Sequence, residues 1–396
     1  MKILMLTPYL PYPLTSGGQT RSYNLIKNLS KKHEITLFSL IKDDKEKKYI
    51  PELEKFCKKV AVFNRSKSPW TLRNILMTGF GTYPFLVIRN LAPKEKEAVR
   101  HELENDKYDL IHAETFYVMP HIPRVDIPTL LVDQTVEYLV YEHYVQEQVP
   151  FWLRPILWID VLKIKYWETY YWKQAKKVIA MSYSDGKIME SLAPGLKVGV
   201  VPNGVDVEYF SEKKREETKV PKVLYLGNFS WLQNVEAAEA LVAEVWPNIK
   251  KKIPNSKLWI VGKDMPERVK ILRTSDIEVT EGIPDNRDAY TQASVLVTPI
   301  KGPGGTRLKI LEAMASSLPV VTTSTGAEGL DLTDGKNALI RNDFDELAEA
   351  AVKVLKDPEL AIKLGVEGKR FVEQRYTWQK NAELLSKIYE EVVYQK

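Results

Sequence analysis

Short apolar runs alternate with amphipathic segments along the first half of the chain. The apolar runs predict buried strands at 2–7, 34–40, 60–63, 109–113, 129–133 and 177–182. A helix is predicted over about 19–31, and a helix rich in lysine and glutamate follows the second strand. Parallel strands are buried on both faces and are joined through helices, so this alternation predicts a doubly wound parallel sheet.

The same alternation starts again at residue 222. The second set of predicted strands lies at 222–227, 257–262, 277–282, 294–300 and 318–324, and a strongly periodic helix is predicted at 234–252. The polar segment between the two halves is typical of a linker. We therefore predict an α/β chain with an N-terminal domain at 1–205, a linker or hinge at 206–221, a C-terminal domain at 222–375 and a final helix within 376–396 that could pack on either domain.

Composition supports two domains and excludes some classes of protein. A chain of 396 residues is too long for one ordinary hydrophobic core. The net charge of +5 fits a lysine-rich solvated surface, and we expect no nucleic-acid partner. Cys57 is the single cysteine, which excludes an intrachain disulfide and fits a reducing cytoplasm. No apolar run reaches the length of a membrane-spanning helix, and the prolines of the first 13 residues do not fit a signal peptide.

The segment GPGGTRLKILEAMASSLPVV at 302–321 has the pattern of an anion site. A predicted strand leads into a glycine loop and then into a helix, whose N-terminal N–H groups favour negative charge. Arg307 and Lys309 add two cations. Glu312 would repel a phosphate, but its carboxylate suits the hydroxyls of a ribose or a sugar. The alternative is a glycine loop that caps a core helix, with Glu312 paired to Lys309 at i, i+3.

The same segment resembles the C-terminal signature of the retaining glycosyltransferases of the GT-B fold, family 4 type. Lys309, Glu312-Ala313-Met314-Ala315 and Pro319-Val320-Val321 match that signature. Further similar segments are PYLPYPLTSGGQTRSYNLIKNL at 8–29, VIAMSYSD at 178–185, VPNGVD at 201–206 and GAEGL at 326–330. The resemblance implies two doubly wound Rossmann-like domains that face each other across a cleft.

Two departures from the family pattern concern the nucleotide site. A glutamate that many members carry eight positions before Glu312 is Gly304 here, which resembles a subgroup of the family. The usual Arg and Lys after the first C-domain strand are also missing, and Asn228 stands in the corresponding loop. We infer that Arg307 supplies the missing phosphate-binding cation. Backbone N–H groups of Gly304, Gly305 and Thr306 would then take the place of the lost carboxylate near the sugar.

In the N-terminal half, the resemblance points to residues that follow predicted strands. The N–H groups of Gly17 and Gly18 could face the diphosphate or the acceptor. Asp133 ends a strand where many family members carry a histidine near the transferred sugar, and Glu137 follows one helical turn later. Either carboxylate could assist deprotonation of an acceptor hydroxyl or bind sugar hydroxyls. Helix capping by Asp133 is the alternative.

No metal and no separate cofactor are expected. His112 and Glu114 lack a third ligand at suitable spacing. Asp343 and Glu346 fit a helix-capping pattern better than a metal-binding one.

The segment 150–177 holds four tryptophans among lysines and arginines, namely Trp152, Trp158, Trp167 and Trp172. One interpretation is an interfacial face that touches an anionic membrane. The other, which we favour, is a long packed helix whose lysines extend to solvent, since helices at this place in the family are usually packed. Glu168, within it, is expected to pair with a neighbouring basic residue.

The resemblance implies a retaining, metal-independent glycosyltransferase of the hexosyltransferase type, in which Arg307, Lys309 and Asp133 are catalytic candidates. Its partners would be a nucleotide-diphosphate sugar and a saccharide or lipid-linked acceptor. The expected setting is surface polysaccharide or glycolipid synthesis, in the cytoplasm or peripherally at the inner face of the membrane. Two alternatives remain: another GT-B enzyme, such as a nucleotide-sugar epimerase, and a non-catalytic partner subunit of the same fold.

Overall fold

The structure, a computed structural model, describes residues 1–216, 219–302 and 307–394. It divides into two compact units, each built around its own parallel sheet. Unit 1 consists of Met1–Pro202 together with Trp378–Lys396, and unit 2 consists of Asn203–Thr377. The two parallel sheets confirm the predicted α/β, doubly wound fold.

Unit 1 contains a seven-stranded parallel sheet. Its strands are β1 (Lys2–Thr7), β2 (Glu34–Ile41), β3 (Lys59–Asn64), β4 (Leu110–Glu114), β5 (Thr129–Val132), β6 (Lys177–Ala180) and β7 (Val198–Val200). They lie in the order β3-β2-β1-β4-β5-β6-β7. Strand order reverses between β1 and β4, and in open α/β sheets ligands bind outside the carboxyl ends of the strands at such a switch point.

Helices cover both faces of this sheet. They are α1 (Gly17–Leu29), α2 (Ile50–Leu53), α3 (Leu72–Phe80), α4 (Phe85–Ile88), α5 (Pro93–Asn105), α6 (Glu137–Gln148), α7 (Arg154–Gln174) and α8 (Tyr183–Leu192). Unit 1 also contains two 3₁₀ segments, Asp44–Tyr49 after β2 and Phe116–His121 after β4. α1 begins at Gly17 because the Ser16 hydroxyl accepts a hydrogen bond from the Gln19 N–H.

Unit 2 contains a six-stranded parallel sheet. Its strands are β8 (Lys222–Asn228), β9 (Lys257–Lys263), β10 (Ile277–Glu281), β11 (Val295–Thr298), β12 (Val320–Thr322) and β13 (Leu339–Ile340). They lie in the order β10-β9-β8-β11-β12-β13, so the switch point falls between β8 and β11. Val223 and Tyr225 of β8 enter one buried cluster and Leu224 and Leu226 enter another, because both faces of the sheet are covered.

The helices of unit 2 follow its strands in chain order. They are α9 (Val207–Glu212), α10 (Leu232–Ala240), α11 (Trp246–Lys252), α12 (Glu267–Lys270), α13 (Asn286–Thr291), α14 (Leu308–Ala315), α15 (Ser324–Ala327), α16 (Phe344–Lys356) and α17 (Pro358–Arg375). The single helix predicted at 234–252 is wrong in one respect: a π-helical turn, Leu241–Val245, separates α10 from α11. Pro247 follows this turn, and its missing N–H prevents a continuous α-helical ladder there.

The residues predicted as a linker, 206–221, include α9, which packs within unit 2 through the buried Phe210. The chain returns to unit 1 with a last helix, α18 (Trp378–Tyr394), which packs on α1. His33 and Ser386 are joined by a hydrogen bond of 2.7 Å, and the Asn381 side chain donates to the Pro202 carbonyl at 3.0 Å. No helix within the described residues combines the length and the apolar character that crossing a membrane requires.

Candidate functional site

The first turn of α14 lies at the switch point of unit 2. β8 ends there at Asn228, and β11 leads into the glycine loop that precedes α14. Gly304, Gly305 and Thr306 fall in the segment 303–306, outside the described residues, so their proposed contacts stay predictions. Residues 307–315 are described, and α14 begins at Leu308.

Lys309 is buried at this switch point, with 8% of its surface exposed. Its Nζ lies 2.7 Å from Asn234 Oδ1 and 3.3 Å from the Tyr225 hydroxyl, and it sits 4.4 Å from the centre of the Tyr225 ring. An added Cβ on Gly227 would lie 3.2 Å from the same Nζ, so the glycine leaves room for the ammonium. In the part of the chain that the structure describes, Lys309 therefore has neutral hydrogen-bond partners and no ion pair.

Arg307 places a second cation beside Lys309. It is also 8% exposed, and its Nη2 donates to the Gly302 carbonyl at 2.9 Å. Burial lowers the pKa of Lys309 well below its ordinary value, and the charge of Arg307 lowers it further. In its protonated form Lys309 has three N–H donors and two acceptors within the described residues, so one donor is left for a ligand. This pair of cations at a helix N-terminus is suited to an anion.

Glu312 lies on α14 with Lys309, but its hydrogen-bond partner is on another helix. Its Oε2 accepts a hydrogen bond of 2.7 Å from the Tyr290 hydroxyl of α13. Burial raises the pKa of Glu312 to about 7, while the Tyr290 bond and the charge of Lys309 act in the opposite direction. The described residues show no Lys309–Glu312 ion pair. The alternative interpretation, a structural helix in which these two residues pair, therefore lacks the contact on which it was based.

Asn228, the other predicted residue of this site, organises the loop after β8. Its Oδ1 accepts a hydrogen bond from the Ser230 N–H at 2.9 Å, and its carbonyl accepts one from Asn234 Nδ2 at 2.7 Å. Asn234 thus connects the end of β8 to Lys309. Sequence reasoning missed Asn234, Tyr225 and Tyr290 because they belong to segments far from α14 in the chain.

In unit 1, Gly17 and Gly18 form the first turn of α1, beside the switch point between β1 and β4. A Cβ on Gly18 would lie 2.5 Å from the Tyr9 hydroxyl and 2.7 Å from Gln134 Oε1. Close packing therefore requires glycine at position 18. The ligand contacts expected of these two glycines stay predictions.

A buried polar network that sequence reasoning missed lies at the same end of the sheet. Glu114 accepts a hydrogen bond from Gln134 at 2.8 Å and lies 3.1 Å from His112 Nε2, while His112 Nδ1 contacts the Tyr389 hydroxyl of α18. Burial raises the pKa of Glu114, but the His112 bond and the charges of His112 and Arg21 lower it overall. Arg21 is 1% exposed. Arg21 lies four residues before Leu25, on the apolar stripe of α1, and this position in the sequence was the signal that could have predicted its burial.

Asp133 is 1% exposed and has protein partners for both carboxylate oxygens. Oδ1 accepts a hydrogen bond from the Phe116 N–H at 2.9 Å, and Oδ2 accepts one from the Trp172 indole N–H. The alternative that Asp133 caps the helix after it is wrong, because α6 has Val136 at its N-cap. Asp133 instead ties the end of β5 to the Phe116–His121 segment and to α7.

Glu168 of α7 is fully buried, and the prediction of a basic partner for it is wrong. Its Oε1 accepts a hydrogen bond from the Glu137 N–H at 2.7 Å, and its Oε2 accepts one from the Tyr138 N–H at 3.2 Å. The first N–H groups of a helix lack partners within the helix and carry partial positive charge, so a carboxylate satisfies them. Glu168 thereby fixes the start of α6.

The carboxylate of Glu137 projects from this fixed helix end. Within the described residues, no hydrogen bond or ion pair engages it. Burial and the nearby charge of Asp133 raise the pKa of Glu137 to about 7, against the charge of Arg89. Of Asp133 and Glu137, Glu137 is therefore the one whose carboxylate is available to a ligand within the described residues. The described residues contain no group of three or more His, Cys, Asp or Glu side chains that could hold a metal ion.

Two parallel α/β units with polar sites at their switch points define the GT-B class, and the solved structures that resemble this chain agree. Sucrose-phosphate synthase from Thermosynechococcus elongatus matches with a TM-score of 0.76 at 19% identity, covering 100% of both chains. HepE of Anabaena, solved in complex with UDP-glucose, matches with a TM-score of 0.66 at 17% identity, covering 98% of this chain and 100% of HepE. These matches show the fold.

Sequence comparison gives the family. The model "Glycosyltransferase Family 4" matches residues 15–209, and the model "Glycosyl transferases group 1" matches residues 220–357. An uncharacterised 44.6 kDa protein in the cps region of Klebsiella pneumoniae is 21% identical, over 98% of this chain and 99% of that protein. The chain belongs to the family 4 glycosyltransferases of group 1, as its motifs predict.

We expect the substitution Lys309→Met to stabilise the ligand-free protein, raising its melting temperature by a few degrees at neutral pH. Burial depresses the pKa of Lys309, so folding is penalised below the unfolded pKa of lysine, and the penalty fades as pH rises toward that value. Thermal unfolding of the parent and the variant, from neutral to alkaline pH, measures this effect. Lys353→Met, at an exposed position of α16, is the control and should change little. A loss of stability in Lys309→Met, of the size seen for core cavities, would show that the buried ammonium group does not destabilise the ligand-free protein.

Proposed function

We propose that the chain transfers a sugar from a nucleotide-diphosphate donor to a hydroxyl group of an acceptor, with retention of anomeric configuration. The observation that carries this proposal is the buried cation pair at the start of α14, Arg307 and Lys309, at the switch point of unit 2. Two desolvated cations beside a helix N-terminus favour a diphosphate over a neutral ligand. The structure of HepE with UDP-glucose supports a nucleotide sugar as the class of donor.

The proposed catalytic effect is electrostatic. The bond between the anomeric carbon and the β-phosphate oxygen breaks, and its electron pair goes to the leaving diphosphate. Lys309, Arg307 and the N–H groups at the start of α14 stabilise the charge that develops there. Lys309 keeps one N–H donor for this purpose beyond its bonds to Asn234 and Tyr225.

Glu312 and the residues around it would orient the donor. The Tyr290 bond holds the Glu312 carboxylate in place, so its remaining lone pairs can accept hydrogen bonds from the ribose hydroxyls. We assign Asn228 to the rim of the nucleotide pocket, and the N–H groups of Gly304, Gly305 and Thr306 to the sugar. The N–H groups of Gly17 and Gly18 are assigned to the diphosphate or the acceptor.

We assign the acceptor hydroxyl to unit 1, with Glu137 as its partner in preference to Asp133. Burial raises the pKa of both Asp133 and Glu137 to about 7, but both oxygens of Asp133 are used by Phe116 and Trp172, whereas the carboxylate of Glu137 is available. A carboxylate with a pKa near neutrality can accept a proton from the hydroxyl as the new bond to the anomeric carbon forms. Glu168 acts as a positioning residue, because it fixes the helix end that carries Glu137.

For the setting of the reaction, we propose a saccharide or lipid-linked acceptor in surface polysaccharide or glycolipid synthesis. The family resemblance and the relative in the cps region support this assignment. A cytoplasmic location fits a chain whose single cysteine, Cys57, is a buried free thiol. We assign no metal to the reaction, since Arg307 and Lys309 supply positive charge at the diphosphate.

A thermal-shift panel with UDP, GDP, ADP and dTDP tests the donor site. We expect one nucleotide diphosphate to stabilise the parent by about 2.7 kcal/mol at a hundredfold excess over its dissociation constant. Arg307→Ala and Glu312→Ala should lose this response because they remove a phosphate contact and a ribose contact. Arg268→Ala, at an exposed ion pair with Glu239 in unit 2, is the matched control and should respond like the parent.

A turnover assay with the donor, run with and without an acceptor, separates the transferase from the alternatives. Donor turnover only in the presence of a saccharide or lipid-linked acceptor supports a transferase, whereas isomerisation of the sugar without acceptor indicates an epimerase. If no nucleotide shifts the parent, the non-catalytic interpretation replaces the transferase.

The pH dependence of transfer tests Glu137. Because Glu137 must be ionised to accept a proton, kcat/KM should rise with pH through about 7 and then level off. Glu137→Gln should lower kcat by roughly a hundredfold or more and remove this rise. Glu168→Gln should lower kcat but keep the rise at a shifted pH, as expected for a positioning residue. Glu147→Gln, exposed on the same helix, is the control; an unchanged pH profile in Glu137→Gln would refute the assignment.

A further inference from the structure

Helix α3 of unit 1 has its apolar side facing solvent. Leu72, Ile75, Leu76 and Phe80 lie on one stripe of the helix and are 72%, 47%, 47% and 90% exposed. The buried side of α3 is polar: Asn74 is 4% exposed and donates to the Pro69 carbonyl at 2.9 Å. A helix stabilised by packing on its own domain has the reverse arrangement, so this stripe needs an apolar environment from outside the chain.

The first half of α7 and the residues before it show a similar exposed surface. Phe151, Trp152, Ile156 and Leu162 are 80%, 64%, 64% and 61% exposed. The second half of the helix is buried through Ile164, Tyr171 and Trp172. The packed-helix interpretation of 150–177 is therefore correct for one side of α7, which is buried through Val161 in the first half and through Ile164, Tyr171 and Trp172 in the second.

Hydrogen bonds fasten the two exposed surfaces to each other. Lys163 Nζ of α7 donates to the carbonyls of Thr78 and Gly81, at 2.6 and 2.7 Å, where α3 ends. The Trp167 indole donates to the Thr82 carbonyl at 2.9 Å, and the Phe85 N–H donates to Asp160 at 2.9 Å. We call this combined surface the apolar face; its members are Trp70, Leu72, Ile75, Leu76, Phe80, Phe151, Trp152, Ile156, Ile159, Leu162 and Tyr166.

The two segments that carry the apolar face hold mostly positive charges, although Lys67 is paired with Asp43 outside them. The segments 65–84 and 148–167, which carry the face, contain six basic residues: Arg65, Lys67, Arg73, Arg154, Lys163 and Lys165. They contain one acidic residue, Asp160, whose carboxylate is engaged by the Phe85 N–H. Tryptophan, aliphatic side chains and a basic rim together match the headgroup layer of an anionic bilayer. Protein–protein interfaces, in contrast, are depleted in lysine.

We propose that unit 1 docks through the apolar face onto an anionic phospholipid bilayer, with α3 and the first half of α7 in the interfacial layer. The apolar side chains enter the boundary between headgroups and acyl chains, while the exposed basic residues Lys67 and Arg73 contact lipid phosphates. This docking goes beyond the proposed sugar transfer. It does not depend on the nucleotide site, and it would give the enzyme access to an acceptor held in the membrane.

Sedimentation with lipid vesicles tests the proposal on the full chain. The parent should bind vesicles of phosphatidylcholine mixed with phosphatidylglycerol, and bind much more weakly to pure phosphatidylcholine or in high salt. The double variant Phe80→Ser/Ile156→Ser removes two apolar side chains that are already exposed, so it should fold normally and bind at least tenfold more weakly. Its melting temperature and nucleotide response should equal those of the parent.

The matched control is Ile362→Ser/Val366→Ser, which removes two exposed apolar side chains from α17 in unit 2. This variant should bind vesicles like the parent. Equal loss of binding in both double variants would overturn the proposal, as would no binding of the parent. Self-association of the parent that is lost in Phe80→Ser/Ile156→Ser, without vesicle binding, would assign the face to a second copy of the chain and also overturn it.

Discussion

The buried ammonium group of Lys309 is the constraint on which the proposed donor site depends. Within the described residues it is held by an amide oxygen of Asn234 and the hydroxyl of Tyr225, beside the like charge of Arg307. Burying a cation with neutral partners costs stability, and an anion that binds there offsets that cost. Around this group, Gly227 leaves room for the ammonium, Asn234 ties it to the end of β8, and Glu312 accepts a hydrogen bond from Tyr290.

Unit 1 contains several buried carboxylates. Glu114, Asp133 and Glu168 are stabilised by protein donors: Gln134 for Glu114, the Phe116 N–H and Trp172 for Asp133, and two backbone N–H groups for Glu168. Glu137 is left with its carboxylate available and its pKa raised.

The sequence predicted the strands well wherever an apolar run was long, as at 2–7 and 222–227, because buried parallel strands are continuous apolar segments. β7 and β13 were missed since they have only three and two residues. Motifs located Lys309 and Glu312, but their partners Asn234, Tyr225 and Tyr290 come from segments that only the folded chain brings together. The same limit explains Glu168: a carboxylate on a buried helix face suggested a basic partner, and the partner was the N-terminus of another helix. Burial of Asn74 and exposure of Phe80 likewise depend on tertiary packing.

Isothermal titration of the nucleotide diphosphate in two buffers of different ionisation enthalpy tests the central claim most directly. If binding restores the charge of Lys309, the parent takes up protons on binding near neutral to mildly alkaline pH, because the bound anion raises a pKa that burial had lowered. Lys309→Arg keeps a permanent cation at the same place and should bind without that uptake. Binding of equal strength with no proton uptake by the parent, or with the same uptake in Lys309→Arg, would contradict the account of Lys309 as the diphosphate-binding group.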